Sequence, residues 1–393
     1  MTRTLVVVSL VSFMQDAASE LVYPLLPLLL TGALAAPPVV VGFVEGAATG
    51  VAALVAYVSG RRSDVVGRKP LVFTGYSLAA VGKVIVAAAW AWPVVLVGRV
   101  VDRMGKGIRG APRDALIGES VPPEALGRAF GFHRAMDTAG AVIGPLIALG
   151  ALTLLDDDLR QVLWLAVIPA VASALLVLLI REPARVHVTA SAEAKVTDLV
   201  AHVPAPPRAP LSPELRRVLA MLTAFALVNF PDVLVLLRLS DIGWTTSEVV
   251  GGYALYNLAY TAVSFPAGHL SDRMSRAQVY ALGLVFFAIG YLGLGLLDSG
   301  PLVLVVLVLY GGFNGCTDGV GKAWISSLAP TEQRGRAQGA YQGFSGGAIL
   351  IAGIWAGLLW NVGPGGGVVP LLISGSVAVV FAVVFATYGR RLG

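Results

Sequence analysis

The chain has 393 residues, of which 56% are hydrophobic and 13% are charged, and its formal net charge is +5. At a mean hydropathy of +0.80, it has too few polar residues to cover a water-soluble globule of this length. The composition therefore excludes a soluble globular protein and predicts a chain embedded in a lipid bilayer.

Twelve apolar segments are long enough to cross the membrane as helices, since each crossing needs about 20 residues. They are predicted at residues 5–30, 38–59, 70–92, 93–117, 129–155, 161–180, 218–237, 248–267, 277–297, 301–327, 337–359 and 367–388. The only long hydrophilic stretch, residues 181–217, is rich in proline and is predicted to be a cytoplasmic linker. The predicted domains are therefore an N-terminal six-helix bundle (1–180), this linker, and a C-terminal six-helix bundle (218–393).

Basic residues in the loops predict the orientation of the chain. Eighteen Lys and Arg lie in loops on the side of both termini, against Arg160 and Arg238 on the other side. Because basic loops stay in the cytoplasm, both termini are predicted to be cytoplasmic. The first span starts at Met1 without a small-residue cleavage site, so we expect a retained anchor. We expect a multi-pass protein of the bacterial inner (plasma) membrane.

The two halves of the chain repeat one residue pattern at an offset of 208 residues. The segment from Gly60 to Lys69 reads G-R-R-S-D-V-V-G-R-K, and a weaker copy starts at Gly268. Each copy follows the second span of its half. The chain is therefore predicted to be a duplication of one six-helix unit.

These features resemble the major facilitator superfamily over essentially the whole chain. Arg99 in span four is similar to a motif of drug:proton antiporters in that superfamily, and so is the group of Gly140, Gly144 and Pro145 in span five. The resemblance implies the major facilitator fold, an all-α membrane protein with two six-helix bundles related by internal repeat. It also implies secondary active transport by alternating access between the bundles, in the direction of export.

The resemblance further implies that the duplicated loops form a gate on the cytoplasmic side. The loop glycines permit a tight turn and close helix approach. The Asp64 carboxylate is expected to pair with a helix N-terminus or with Arg336 when the gate is shut. The alternative is that the loop only signals topology. The predicted gating residues are Gly60, Asp64, Gly67, Arg68, Lys69, Gly268, Asp272, Arg273, Arg276 and Arg336.

Charged side chains inside the spans are the candidate functional groups, because the membrane makes them costly unless they are paired or face water. Carboxylates whose surroundings alternate between buried and cation-paired would change their proton affinity. The predicted proton-coupling residues are Asp16, Glu20, Glu45 and Asp137.

Span four carries charges at intervals of three and four, which places them along one helix face. Its basic surplus favours contact with an anionic substrate group. The alternative is a structural salt-bridge ladder with the four carboxylates named above. The predicted substrate-binding residues of this half are Arg99, Asp102, Arg103 and Lys106.

The second half has fewer intramembrane charges, chiefly Asp232, Asp318 and Lys322. Proton coupling is therefore predicted to be concentrated in the N-terminal half. Polar and aromatic side chains of the second half are expected to contact the substrate from the other side. These predicted substrate-binding residues are Tyr253, Tyr256, Asn257, Asn314 and Tyr341.

No motif indicates a cofactor or a bound metal. Residues 105–110 fit G-x-G-x-x-G, but they lie inside an apolar span and not between a strand and a helix. The single cysteine, Cys316, is expected to be a small buried residue. We therefore expect a protein that is not an enzyme, uses no cofactor or metal, and binds no nucleic acid.

The predicted function is proton-coupled efflux of a small organic molecule by a secondary active transporter. Its expected partners are the substrate, protons and the lipid bilayer, and it is expected to work as a monomer. One alternative is proton-linked transport of a specific organic anion or zwitterion, which the basic stripe of span four favours. A second alternative is export of a divalent metal, for which the chain lacks His-rich or Cys ligands.

Overall fold

The computed structural model describes residues 2–66, 68–121, 126–180, 211–330 and 334–388, and these residues form fourteen α-helices and no β-strand. The helices of the first half are α1 (Arg3–Val22), α2 (Pro38–Val66), α3 (Arg68–Ala87), α4 (Trp92–Glu119), α5 (Leu126–Leu154), α6 (Leu159–Leu165) and α7 (Val167–Val177). Those of the second half are α8 (Pro213–Ala226), α9 (Asp232–Asp241), α10 (Thr246–Arg273), α11 (Arg276–Leu296), α12 (Pro301–Leu328), α13 (Arg334–Leu358) and α14 (Val368–Tyr388). The predicted all-α fold is confirmed.

Two pairs of helices share a span, because α6 and α7 together form span six and α8 and α9 together form span seven. Within the described residues, eight segments are long and apolar enough to cross a membrane. The other four expected spans are α4, the α8–α9 pair, α10 and α13. These helices carry polar or charged residues or are broken into short pieces. We call the end of the molecule that carries the predicted cytoplasmic loops the inner end, and the opposite end the outer end.

Span seven differs from the continuous helix predicted over 218–237. Helix α8 ends at Ala226, and α9 starts only at Asp232. Pro231 directly precedes α9, and its ring leaves no backbone N–H to continue a helical ladder. The result is a break within the membrane, with Asp232 in the first turn of the second piece.

Span one changes geometry where its prolines lie. After α1 the chain forms a 3₁₀ turn at Tyr23–Leu25 and then a π-helical turn at Leu28–Ala33. Pro24 and Pro27 remove backbone donors at this point, which explains the loss of regular α-helix.

Span six starts with a helix cap that lies just before the apolar segment. Asp158 accepts hydrogen bonds from the backbone N–H groups of Arg160 and Gln161 at 2.9 and 3.2 Å. Its second oxygen accepts from the Gln161 side chain at 2.9 Å. These bonds, chiefly that of the Gln161 side chain, stabilise the carboxylate and lower the pKa of Asp158 from its ordinary value.

Helices α1 and α5 pack with their backbones in close contact. A Cβ atom on Gly140 would lie 2.5 Å from the Phe13 carbonyl oxygen, and one on Gly144 would lie 2.5 Å from the Ala17 carbonyl oxygen. Such approach needs glycine, as is common between membrane helices. The glycines of the predicted antiporter-type motif therefore hold α5 against the face of α1 that carries Asp16.

The two bundles meet closely at the outer end, through α2 and α13. A Cβ atom on Gly353 would lie 2.7 Å from the Gly42 carbonyl oxygen, and one on Gly46 would lie 2.8 Å from the Leu350 Cα atom. Both contacts involve the half of α2 that starts at the outer end. The outer end is therefore closed between these two helices.

Candidate functional site

A cluster of five charged side chains lies in the interior of the N-terminal bundle, between α2, α3 and α4. Arg99 places Nη2 2.6 Å from Glu45 Oε2 and Nη1 3.3 Å from Asp102 Oδ2. Arg103 Nη2 lies 2.6 Å from the other Glu45 oxygen. Lys83 Nζ lies 2.9 Å from Asp102 Oδ1. Both carboxylates therefore use both of their oxygens in ion pairs.

This arrangement favours the ladder interpretation for part of span four. The side chains of Arg99 and Lys83 are each only 2% exposed, so a substrate would reach neither without a large rearrangement. Arg103 is 18% exposed and is the most accessible member of the cluster. Lys83 was not among the predicted site residues, and its sequence signal is a lone lysine in an otherwise apolar span.

The inner part of the span-four stripe is paired differently. Lys106 is exposed, and among the described residues no carboxylate lies within 4.0 Å of its ammonium group. It interacts electrostatically at longer range with Asp16 and Glu20 of α1. The guanidinium carbon of Arg109 lies 4.5 Å from the centre of the Tyr76 ring, a cation–π contact. Lys106 is thus a cation available to a ligand.

Glu20 connects the two bundles. Its Oε2 atom accepts a hydrogen bond of 2.6 Å from the Tyr253 hydroxyl on α10. The ring of Tyr23 lies 5.5 Å from that of Tyr253, centre to centre. In the described part of the chain, neither Asp16 nor Glu20 has a basic side chain within 4.0 Å. Both carboxylates therefore lie within span one without an ion-pair partner among the residues that the structure describes.

Asp137 of α5 lies within electrostatic range of Asp16 on α1. Its Oδ1 atom is 3.7 Å from His133 Nε2, and its Oδ2 atom is 4.0 Å from Arg113 Nη1. The other ring nitrogen of His133 lies 3.3 Å from the Ser9 hydroxyl. Of the four predicted carboxylates, Glu45 thus belongs to the buried cluster, Asp16 and Glu20 lie on α1, and Asp137 lies beside His133 and within electrostatic range of Asp16.

Three of the predicted residues of the second half come together around Asp232. The hydroxyls of Tyr256 and Tyr310 each donate to one Asp232 oxygen at 2.6 Å. Asn314 donates to the Tyr256 hydroxyl and, at 3.5 Å, to Asp232. The Tyr256 ring stacks between those of Tyr253 and Tyr310, with centre distances of 5.7 and 5.3 Å.

Two predicted residues do not join this group. Asn257 donates to the Tyr253 carbonyl oxygen of its own helix at 3.2 Å. Tyr341 lies beside Gly321, toward the inner end, where its hydroxyl would be 3.0 Å from an added Cβ atom. Asp232 and Tyr310 were not among the predicted site residues. The available signal was an aspartate directly after a proline inside an apolar span.

A second link between the bundles lies toward the inner end. Arg134 of α5 places Nη2 3.9 Å from Asp318 Oδ2 of α12. The same oxygen accepts from the Tyr260 hydroxyl at 3.1 Å, and Lys322 Nζ lies 2.6 Å from the other oxygen. Arg134, Tyr260 and Asp318 border a cavity of about 160 Å³, lined also by Ser264, Gly268, Gly315, Gly319 and Val320.

Only part of the predicted gate can be compared with the structure. Gly67 and the side-chain surroundings of Gly60, Asp64, Asp272 and Arg336 lie outside the described residues. Lys69 donates to the carbonyl oxygens of Leu178 and Ile180 at 2.9 and 2.7 Å. It thereby ties the start of α3 to the end of span six, a favourable place for a cation. Arg68 lies beside it, Gly268 lies in α10, and Arg273 and Arg276 flank the turn into α11.

The whole chain matches one protein family. Residues 8–247 and 218–392 match the family described as the Major Facilitator Superfamily. The chain belongs to this superfamily, and it is therefore a multi-pass membrane transporter and not an enzyme.

Known relatives agree with this assignment. An uncharacterised MFS-type transporter of Methanocaldococcus jannaschii is 29% identical over 93% of this chain and 90% of its own length. A protein named multidrug resistance protein MdtH of Proteus mirabilis is 25% identical over 87% of this chain and 83% of its own length. A crystal structure of a peptide transporter POT mutant matches with a TM-score of 0.78 over 100% of this chain and 95% of that one, at 15% identity. At that identity the likeness concerns the fold alone.

Proposed function

We propose that the protein exports a small organic molecule in exchange for protons, by alternating access between the two bundles, as a monomer in the bacterial inner membrane. The observation that carries this proposal is the hydrogen bond between Glu20 and Tyr253. It joins a carboxylate that has no basic partner among the described residues to the opposite bundle. Such a carboxylate inside a membrane is a functional group by default.

Protonation of Glu20 would change the strength of this link. An ionised carboxylate accepts a stronger hydrogen bond than a neutral acid does. The proton on Glu20 therefore affects how firmly α1 and α10 are held together. A substrate that engages Glu20 or Tyr253 would replace the same bond. Proton and substrate would then exclude each other, which is the requirement for exchange.

The direction of transport is supported by two features. The span-five glycines at positions 140 and 144 pack against α1 beside Asp16 and Glu20, as the resemblance to antiporters implies. One relative over most of the chain is a multidrug resistance protein. Both favour export over uptake.

Lys106 favours one particular alternative, transport of an organic anion or zwitterion. It is exposed, and no carboxylate of the described residues lies within 4.0 Å of it. Asp16 and Glu20 of α1 interact electrostatically with Lys106 at longer range. A cation next to two carboxylates suits a substrate that carries charges of both signs.

The test is a substrate screen with the protein reconstituted in liposomes under an imposed pH gradient. Candidates should include organic cations, anions and zwitterions. The wild type is expected to accumulate at least one class against its gradient, and Glu20→Gln to lose this while keeping counterflow exchange. Asp157→Asn, a matched change at an exposed outer turn, is the control and should behave as wild type. Gradient-driven accumulation by Glu20→Gln would contradict the coupling role.

A further inference from the structure

We propose that Asp232 of α9 is a second proton-binding carboxylate, located in the C-terminal bundle. The proposal rests on the proton-coupled function proposed above and adds a residue to it. It departs from the sequence prediction, which concentrated coupling in the N-terminal half. With Glu20 in one bundle and Asp232 in the other, protons would act on both moving parts of the transporter.

All the donors that the described residues offer to Asp232 are neutral. Its two oxygens accept from the hydroxyls of Tyr310 and Tyr256 at 2.6 Å each, and Asn314 contributes a longer contact of 3.5 Å. Among the described residues, no Lys, Arg or His lies within 4.0 Å of this carboxylate. A hydroxyl donates a hydrogen bond to an ionised carboxylate, and after rotation it can accept one from a protonated carboxyl group.

The carboxylates inside the spans fall into two groups by their partners. Those with a basic side chain within 4.0 Å are Glu45, Asp102, Asp114, Asp137 and Asp318. Those without one in the described part of the chain are Asp16, Glu20 and Asp232. A carboxylate inside the membrane without a cation is the kind of group that exchanges protons, because the ionised form alone is costly there. Asp232 therefore belongs with the two predicted coupling residues of α1.

The position of Asp232 supports the same role. It starts the second piece of broken span seven, directly after residues 227–231 outside the two α-helices. Transporters place their ion and substrate sites at such discontinuities near the middle of the bilayer. Asp232 therefore combines a carboxylate that has no basic side chain within 4.0 Å in the described part of the chain with the backbone setting of a transport site.

The ionisable groups around Asp232 come from five other elements. Tyr256 is on α10, Tyr310 on α12 and Tyr291 on α11, while Glu45 of α2 and Tyr23 of span one interact with it from the other bundle. Of these, only Glu45 is charged at neutral pH, and both of its oxygens are paired with arginines. Among the described residues, therefore, no cation within 4.0 Å substitutes for a proton on Asp232.

The proton step involves one bond. A proton from the outer side forms an O–H bond with one Asp232 oxygen, and the tyrosine hydroxyl that donated to this oxygen turns its hydrogen away. The second oxygen keeps its hydrogen bond. On release toward the inner side the O–H bond breaks, water takes the proton, and the hydroxyl donates again. If the turning hydroxyl is that of Tyr256, the change occurs beside Tyr253, whose ring is 5.7 Å away and whose hydroxyl bonds Glu20.

The test is pH-induced infrared difference spectroscopy on the purified full-length protein in lipid. It follows the carbonyl band of protonated carboxylic acids and needs no substrate. Between about pH 5 and pH 9, exposed carboxylates stay ionised and contribute no band. Asp232→Asn is expected to lose one band that the wild type, Glu20→Gln and the control Asp157→Asn all show. An Asp232→Asn spectrum with every carboxylic acid band of the wild type would overturn the proposal.

Tyr310→Phe covers the case in which Asp232→Asn does not fold. It removes one donor to the ionised carboxylate but keeps the acid, so the midpoint of the Asp232 band should move to higher pH by about one unit. Tyr280→Phe, a buried tyrosine stacked on Phe385 in the same bundle, should leave the midpoint unchanged. An unchanged midpoint in Tyr310→Phe would also overturn the proposal.

Transport measurements separate this proposal from the function on which it rests. In liposomes, Asp232→Asn should lower the number of protons that move per substrate, as measured with an internal pH dye. If the wild type shows the Asp232 band but no proton-driven transport, the proposed function is wrong and the proton site is supported. If Asp232→Asn shows proton-driven transport with an unchanged number of protons per substrate, the proton site is wrong and the proposed function is supported.

Discussion

Tyr253 donates a hydrogen bond to Glu20 with 2.6 Å between the hydroxyl and carboxylate oxygens. The two residues are 233 positions apart and belong to different bundles. In the proposed alternating access the bundles separate and rejoin around a central site. This bond can then exist in only part of the cycle, and its loss should change the balance between conformations.

Tyr253→Phe is expected to increase the population that is open at the outer end. The substitution keeps the ring against Tyr23 but removes the donor to Glu20. A hydrogen bond to a charged group contributes about 1.5–3 kcal/mol, so the equilibrium should shift about tenfold or more. Distances between spin labels on the outer ends of α2 and α13 measure this population. Tyr280→Phe is the matched control, and a Tyr253→Phe distance distribution identical to the control would contradict the role of the bond.

Sequence periodicity was sufficient to predict the charged face of α4. Charges spaced by three and four share a helix face, and Arg99 and Asp102 do form an ion pair within that helix. The pairing with Lys83 was not predictable in the same way. It depends on how closely α3 packs on α4, and that distance is set by the glycines between them and not by any periodicity.

The Asp232 group marks the limit of prediction from sequence. Tyr310 is 78 positions from Asp232, and Tyr256 is 24 positions from it, so no local spacing links them. The break in span seven was also missed, although Pro231 lies in it. A proline in a membrane helix is tolerated when neighbouring helices satisfy the freed groups. Whether it breaks the helix therefore depends on tertiary contacts.

Arg103→Ala should mainly lower stability, whereas Lys106→Ala should mainly lower the affinity for charged substrates. Arg103 is paired with Glu45 at 2.6 Å, so its loss leaves one carboxylate oxygen without its cation. Removing one partner of a buried ion pair costs about 3–5 kcal/mol, less here because Arg99 still holds the other oxygen. Lys106 has no carboxylate within 4.0 Å in the described residues, so Lys106→Ala should change thermal stability little.

Affinity measurements complete this comparison once the substrate screen has identified a ligand. Lys106→Ala should weaken binding of anionic or zwitterionic substrates by about tenfold and leave neutral ones unchanged, because only a charge is lost. Arg103→Ala should lower the melting temperature without this selectivity. If Lys106→Ala lowers the melting temperature as much as Arg103→Ala does and binds anions normally, the substrate role of Lys106 is wrong.

Gly353→Leu should force the outer end apart. An added Cβ atom would already lie 2.7 Å from the Gly42 carbonyl oxygen, which is backbone and cannot move aside as a side chain can. The bundles must then separate at α2 and α13, and the outward-open population should rise. Gly347→Leu lies on the same helix with no atom within 4 Å of an added Cβ, and it should behave as wild type. The spin-label distances used for Tyr253 measure both, and a closed outer end in Gly353→Leu would contradict the assignment of this contact.

Arg134→Gln should act in the opposite direction, because Arg134 links α5 to Asp318 of α12 toward the inner end at 3.9 Å. Its loss should open the inner cavity, which a cysteine at Gly319 can report, since no atom lies within 4 Å of an added Cβ there. Replacing the single native cysteine by Cys316→Ala gives the background. Gly319→Cys should then react faster with a membrane-impermeant thiol reagent in Arg134→Gln than in Arg217→Gln, which removes an exposed arginine near the start of α8.

Combining Arg134→Gln with Tyr253→Phe makes this prediction quantitative. One change weakens a link toward the inner end, and the other weakens the link between α1 and α10. Because the two pairs share no side chain, their effects on the conformational equilibrium should add. The reaction rate of Gly319→Cys in the double variant should therefore return toward that of the background. A double variant that reacts as fast as Arg134→Gln alone would show that the two links do not act on the same equilibrium.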